Sequence, residues 1–99
     1  MSTKEQFFDL VHREWDSLRL RFGVQRIGLF GSCLRGDATD ESDMDLLVEF
    51  REKTFENYMG LKFFFEDRLG RRVDLVTRSS IKPRLRERIL QEVEYAAGP

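Results

Sequence analysis

The sequence predicts an α+β (α/β-like) fold: a small mixed β-sheet with helices, in the order α-β-β-α-β-α. Three observations lead there. Apolar residues recur at three- and four-residue steps in three stretches, the signature of helices with one buried face. Three short apolar runs, set off by glycine or charged residues, read as strands. A helical stretch separates the second run from the third, long enough for a crossover between parallel neighbours.

Residues 3–22 read as one helix, because Phe7, Val11, Trp15, Leu18 and Phe22 fall on one stripe. Thr3 with Gln6 suggests a capping box, and Gly23 a natural stop. Residues 24–30 form the first strand, weighted by Ile27, Leu29 and Phe30. Residues 31–36 turn, with room for a short helix, and 37–42 form a polar loop. Residues 43–50 are the second strand. Residues 54–69 return to helical spacing, with Phe55, Tyr58, Met59, Leu61, Phe65 and Leu69 as the apolar positions and Gly70 as the stop. Residues 72–77 are the third strand. The last helix opens at Lys82-Pro83, since proline is tolerated in a first turn. Ile81, Leu85, Ile89 and Val93 lie along its stripe, and residues 96–99 are expected to fray.

The 99 residues are expected to make one domain, residues 1–99, with no room for a second, substrate-binding one. A hydrophobic share of 40% and an aromatic share of 12% are globular rather than disordered composition. The formal net charge of −1 supplies no basic field for nucleic acid, so direct binding of DNA or RNA is not expected. The single cysteine excludes an internal disulfide and suits a cytoplasmic location. The N-terminus lacks the apolar core of a signal peptide, and no run approaches the roughly 18 apolar residues of a membrane span.

The chemistry is concentrated in Gly31-Ser-Cys-Leu-Arg-Gly-Asp-Ala-Thr-Asp-Glu-Ser-Asp-Met-Asp45. A glycine-serine turn leaves one strand, and two alternating carboxylates open the next. Side chains on a strand alternate faces, so Asp43 and Asp45 project together while Met44 and Leu46 face the other way. Two carboxylates this close resist joint ionisation unless a cation lies between them. Hard oxygen ligands suit Mg²⁺, which takes one or two protein carboxylates plus water and substrate phosphates. Gly31 lets a triphosphate approach the backbone, and Ser32 offers a hydroxyl and an N–H to it. A helix starting there adds a favourable dipole. A third acid, Asp74, stands between Val73 and Leu75. A lone charge is too costly to bury unpaired, and a place beside Asp43 and Asp45, across a shared metal, resolves the conflict.

The pattern Gly-Ser, two residues, Arg-Gly, five residues, Ser-Asp, one residue, Asp resembles that of the minimal nucleotidyltransferases (MNT) of the polymerase-beta-like superfamily. Members often carry an aromatic residue or alanine where Cys33 and Leu34 stand here. The resemblance spans essentially the whole chain and implies the polymerase-beta-like nucleotidyltransferase fold. It implies Asp43, Asp45 and Asp74 as catalytic, metal-holding residues, with Gly31, Ser32, Arg35 and Ser42 binding nucleotide. It implies two Mg²⁺ ions, about 3.5–4 Å apart, and ATP as substrate. Minimal nucleotidyltransferases of this size are typically encoded beside a HEPN-type toxin, a ribonuclease, and act as its antitoxin by moving AMP onto a toxin tyrosine. The missing substrate domain agrees, because a partner would complete the acceptor side. Two alternatives stay open: an antitoxin that neutralises its partner by binding alone, and a nucleotidyltransferase acting on tRNA.

Each feature also has a plainer reading. Asp43 and Asp45 could be solvated turn acids, but the Gly-Ser and Asp74 weigh against it. Arg35 reads equally as a surface charge paired with Asp37 or Asp40. Gly36 permits a positive φ. His12 is read as a surface histidine and Cys33 as a semi-buried filler. One of Phe63 and Phe64 must leave the face of Phe65, which leaves partner docking or a homo-oligomer open. Arg78, Lys82, Arg84, Arg86 and Arg88 read as a solvated helix face, diluted by Glu87, Glu92 and Glu94, or as a patch for a triphosphate, RNA or an acidic partner.

Overall fold

The computed structural model describes residues 1–98, and the chain enters them through α1 (Thr3–Arg13). Its N-cap is Ser2, one residue before the expected Thr3. Ser2 Oγ accepts from the Glu5 N–H at 3.1 Å, and Glu5 Oε1 accepts from the Ser2 N–H at 3.2 Å, closing a reciprocal box. The helix expected over residues 3–22 is in fact two. Glu14 leaves helical geometry (φ −109°, ψ 16°), and α2 (Trp15–Phe22) follows. The Glu14 carboxylate is held by Arg68 at 3.3 Å. The apolar stripe runs through the break, with Phe7, Val11, Leu18 and Phe22 all buried, so periodicity carries no sign of it. Gly23 closes α2 with a left-handed φ of 68°.

β1 (Val24–Phe30) then pairs antiparallel with β2 (Met44–Phe50). Between them lie α3 (Ser32–Arg35) and a polar loop. α4 (Phe55–Leu69), capped by Thr54, carries the chain over to β3 (Val73–Val76), which runs parallel to β2. A 3₁₀ turn at Arg78–Ser80 leads into α5 (Pro83–Glu92). Beyond it, of residues 96–99, expected to fray, the structure places Ala96 and Ala97 in a strand. β4 (Glu94–Ala97) adds to the free edge of β1, giving the sheet order β3-β2-β1-β4. Gly28 permits this: a Cβ there would stand 2.7 Å from Val93 Cγ2 and 2.9 Å from the Glu94 carbonyl. His12, exposed as expected, places Nε2 3.1 Å from the Ala96 carbonyl. Pro99 lies outside the described residues.

The sheet separates two apolar layers. Ile27, Leu29, Met44, Leu46, Val48, Val73 and Leu75 face α1, α2 and α4, and meet Phe7, Leu18, Leu61, Phe64 and Phe65. On the other face Phe30 and Leu47 meet Ile81, with Ile89 and Leu90 of α5 and Val93 just beyond it packed around them. Phe63 is the exposed member of the 63–65 run. Phe55, expected inward, is 76% exposed because it opens the helix beyond the edge of the core. The outer edge of β3 is closed by α4: Tyr58 donates its hydroxyl to the Leu75 carbonyl at 2.7 Å, Lys62 donates to the Val73 carbonyl, and the Val73 N–H donates to Glu66 at 3.0 Å. Those side chains satisfy groups that would otherwise invite another strand. Among the described residues no helix is long and apolar enough to cross a membrane.

Candidate active site

The acids stand where the strands begin. In the parallel register of β2 and β3, Asp45 lies opposite Asp74. The pleat buries their neighbours Met44, Leu46, Val73 and Leu75 in the main core, so both carboxylates belong to the sheet's other face, the one α5 partly covers. Asp43 precedes β2 by one residue and is exposed. On the opposite side of β2, Phe30 pairs with Asp45, which brings the end of β1 and Gly31 alongside. Gly31 adopts φ 78° and ψ −159°, and a Cβ there would collide with Asp45 Oδ2. Both the backbone angle and the close approach therefore require glycine.

The turn after Gly31 is a single helical turn. The Leu34 and Arg35 N–H groups donate to the Gly31 carbonyl at 3.1 Å, and Gly36 ends the turn at φ 85°. Cys33 is buried, Sγ lies 3.7 Å from the Asp43 carbonyl, and burial pushes its thiol pKa up. That is an inert filler rather than a reactive thiol. Arg35 meets Asp37 at 3.6 Å but not Asp40; its shorter partner is Glu92 of α5, at 2.5 Å. The second Glu92 oxygen accepts from the Gly31 N–H at 3.3 Å. Ser42 Oγ accepts from the Thr39 N–H at 2.9 Å. Arg71 donates to the carbonyls of Thr39 and Ser42, 2.7 Å each, so the loop carrying Ser42 is braced from the start of β3. Arg72 pairs with Asp43 at 3.2 Å.

Burial, then the negative charges of Asp74 and Asp43, push the Asp45 carboxyl up to about 6, with Glu92 adding in the same sense and Arg35 opposing. An acid strained in this way by its acidic neighbours gains from a divalent cation, and the hard oxygen donors suit Mg²⁺. Among the described residues no three acidic, histidine or cysteine side chains stand ready-made around one ion. Asp43 is engaged by Arg72, whose side chain is 79% exposed and free to swing away. The chemistry of the donor set suits a divalent cation, and Arg72 is the charge such a cation would replace at Asp43. Of the three acids, Asp43 lines a shallow hollow of about 350 Å³ together with Ser42, Arg71 and Arg72. A larger hollow, about 690 Å³, lies at the far end of β1 and β2 around Trp15, Leu20, Arg26 and Arg51, away from the acids.

Three residues of this neighbourhood escape the sequence pattern. Arg71 and Arg72 carry a faint signal as a basic pair flanking the third acid. Glu92 carries none, because 61 positions separate it from Gly31 and it sits in a helix of mixed charge.

Residues 11–96 match the nucleotidyltransferase domain family. The protein adenylyltransferase MntA of Thermococcus cleftensis is 42% identical over 96 residues, covering 96% of this chain and 97% of that one. A solved structure assigned to the minimal nucleotidyltransferases has a TM-score of 0.73 at 40% identity, covering 95% of each chain. A chain from the complex of a tri-AMPylated Shewanella oneidensis HEPN toxin with an MNT antitoxin shares the fold, at a TM-score of 0.63 and 21% identity over 93% of this chain and 73% of that one. The chain belongs to the nucleotidyltransferase domain family, among the minimal nucleotidyltransferases to which its Gly-Ser and aspartate spacing pointed.

Proposed function

We propose that the protein moves AMP from ATP onto a tyrosine hydroxyl of a HEPN-type toxin in the cytoplasm and thereby acts as its antitoxin. The observation that carries this reading is the meeting of Asp45, Asp74 and Gly31 at one end of the sheet, on three neighbouring stretches of backbone. The relative named as a protein adenylyltransferase, alike from end to end, supports the choice of reaction.

Asp43, Asp45 and Asp74 would hold the metal, two Mg²⁺ ions in this reading. When bound, the ions supply charge neutralisation and Lewis acidity at the phosphates. Gly31 and Ser32 bring N–H and hydroxyl donors to the triphosphate, and Arg35 a guanidinium. Ser42 shapes the loop beside them. The acceptor oxygen attacks the α-phosphorus, the bond from that phosphorus to the β-phosphate bridge breaks, and pyrophosphate leaves. Asp74 takes the hydroxyl proton: it is exposed and makes no ion pair among the described residues. Positioning and charge stabilisation account for the rate, with no covalent intermediate on the protein. The open hollow beside Asp43 is consistent with a macromolecular acceptor.

The test is an intact-mass measurement of the genomically adjacent toxin after incubation with this protein, ATP and Mg²⁺. AMP transfer adds about 329 Da per event, the mass of ATP less pyrophosphate. An unchanged mass in a stable complex would mean neutralisation by binding alone. A lengthened tRNA in place of a heavier toxin would redirect the reading to RNA.

A further inference from the structure

We infer that Glu92 is a resident anion on the phosphate-binding donors, which nucleotide must displace, so that this one side chain sets the affinity of the site for ATP. The inference rests on the nucleotide-binding reading above and adds to it a residue that no part of the motif contains.

Glu92 ends α5, and its carboxylate spans two donors at once. One oxygen pairs with the Arg35 guanidinium at 2.5 Å, and the other accepts from the Gly31 N–H at 3.3 Å. The side chain is 21% exposed, so the contact is largely sheltered from water. Those donors are the ones assigned to the triphosphate. A backbone N–H has a single hydrogen and serves one acceptor well. A polyphosphate arriving there takes both partners from Glu92 and leaves a carboxylate facing like charge, close to Asp45. The side chain then has to turn out to solvent, and the free energy of its two contacts is subtracted from that of ATP binding. Val93, immediately after Glu92, has already left helical geometry (φ −57°, ψ 137°), so the carboxylate hangs on the last residue of the helix. The same competition links the phosphate turn to α5.

The experiment compares ATP and adenosine binding by calorimetry, with Mg²⁺ present and no acceptor, in the wild type, Glu92→Gln and Glu92→Ala. Glutamine keeps the shape and an acceptor for Gly31 but loses the charge; alanine removes both contacts. Melting curves establish that each variant is folded. The expected result is ATP affinity roughly three- to tenfold higher in both variants, the range a partly exposed charge-assisted contact spans. Adenosine, which carries no phosphate, should bind all three proteins alike. Equal or weaker ATP binding in both variants, with wild type still binding, overturns the role of Glu92 and leaves the nucleotide-binding reading standing. Absence of ATP binding in all three proteins overturns both.

Discussion

Asp45 and Asp74 face each other across the parallel pairing of β2 and β3, two carboxylates at directly opposed positions. Like charges so placed oppose folding, and the sheet tolerates them because the β1–β2 hairpin and the α4 crossover are held by the buried core behind. Folding stability and the role proposed for Asp45 therefore pull in opposite directions at this residue.

Asp45→Asn should separate the two. Losing a carboxylate from the cluster is expected to raise Tm at pH 7.5 by about 4–8 °C. This corresponds to about 1 kcal/mol in a chain of this size once solvent screening is allowed for. Transfer of label from α-labelled ATP to the toxin should fall by a factor of about 10³. A variant that melts earlier than wild type and still labels the acceptor would contradict the proposed role of Asp45.

The pH dependence follows from the same residue. Asp45 has a usual value of 3.8 when unfolded and about 6 when folded. Between those values the folded state holds more protons than the unfolded one, so stability falls as pH rises through the window. The Tm difference between Asp45→Asn and wild type should be near zero at pH 4, grow up to pH 6 and level off above pH 7. Thermal scans across pH in metal-free buffer read this directly.

Divalent metal should act against that trend. Mg²⁺ or Mn²⁺ at millimolar concentration is expected to raise the wild-type Tm at pH 7.5, with EDTA reversing it, because a ligand of the native state alone stabilises by mass action. Asp45→Asn should respond little. Acidification below about pH 6 should abolish the metal effect as Asp45 takes up its proton.

Gly31→Ala is predicted to fail locally. The methyl group would collide with Asp45 and would force an alanine to a φ of 78°. The cost is roughly 1–3 kcal/mol, with a loss of transfer of at least about 100-fold. Circular dichroism melts and single-turnover labelling measure the two effects.

Gly28→Ala tests the last strand. Its Cβ would crowd Val93 and the Glu94 carbonyl, pushing β4 off β1. A cost of about 1–3 kcal/mol is expected, with faster hydrogen exchange across residues 94–97 and slower change elsewhere. Uniform acceleration over the whole sheet would show that β4 is not a separable unit.

Local chemistry is legible along the chain. The stripe of Phe7, Val11, Leu18 and Phe22, the alternation of Asp43 and Asp45, and the lone acid between Val73 and Leu75 each need only the period of a helix or strand. Features set by distant contacts are not. The break at Glu14 leaves the stripe intact, and the residue's ion-pair partner, Arg68, lies on another helix. β4 has a short and weakly apolar sequence, and exists because β1 offers an edge that Gly28 keeps clear. Phe55 looks like core but overhangs it.

The linear chain thus pointed to the family, to the strand-turn-strand bearing Asp43 and Asp45, and to Asp74 as the lone acid of its strand, since periodicity and residue chemistry act over a few neighbours. Asp74 is exposed in the structure, so it is strand register and not the cost of burial that sets it beside Asp45. The folded molecule alone set Asp45 against Asp74, turned Arg72 onto Asp43 and drew Glu92 across 61 residues to Gly31 and Arg35. Electrostatic partners are chosen by distance in space, and that distance exists only after the hydrophobic core has closed.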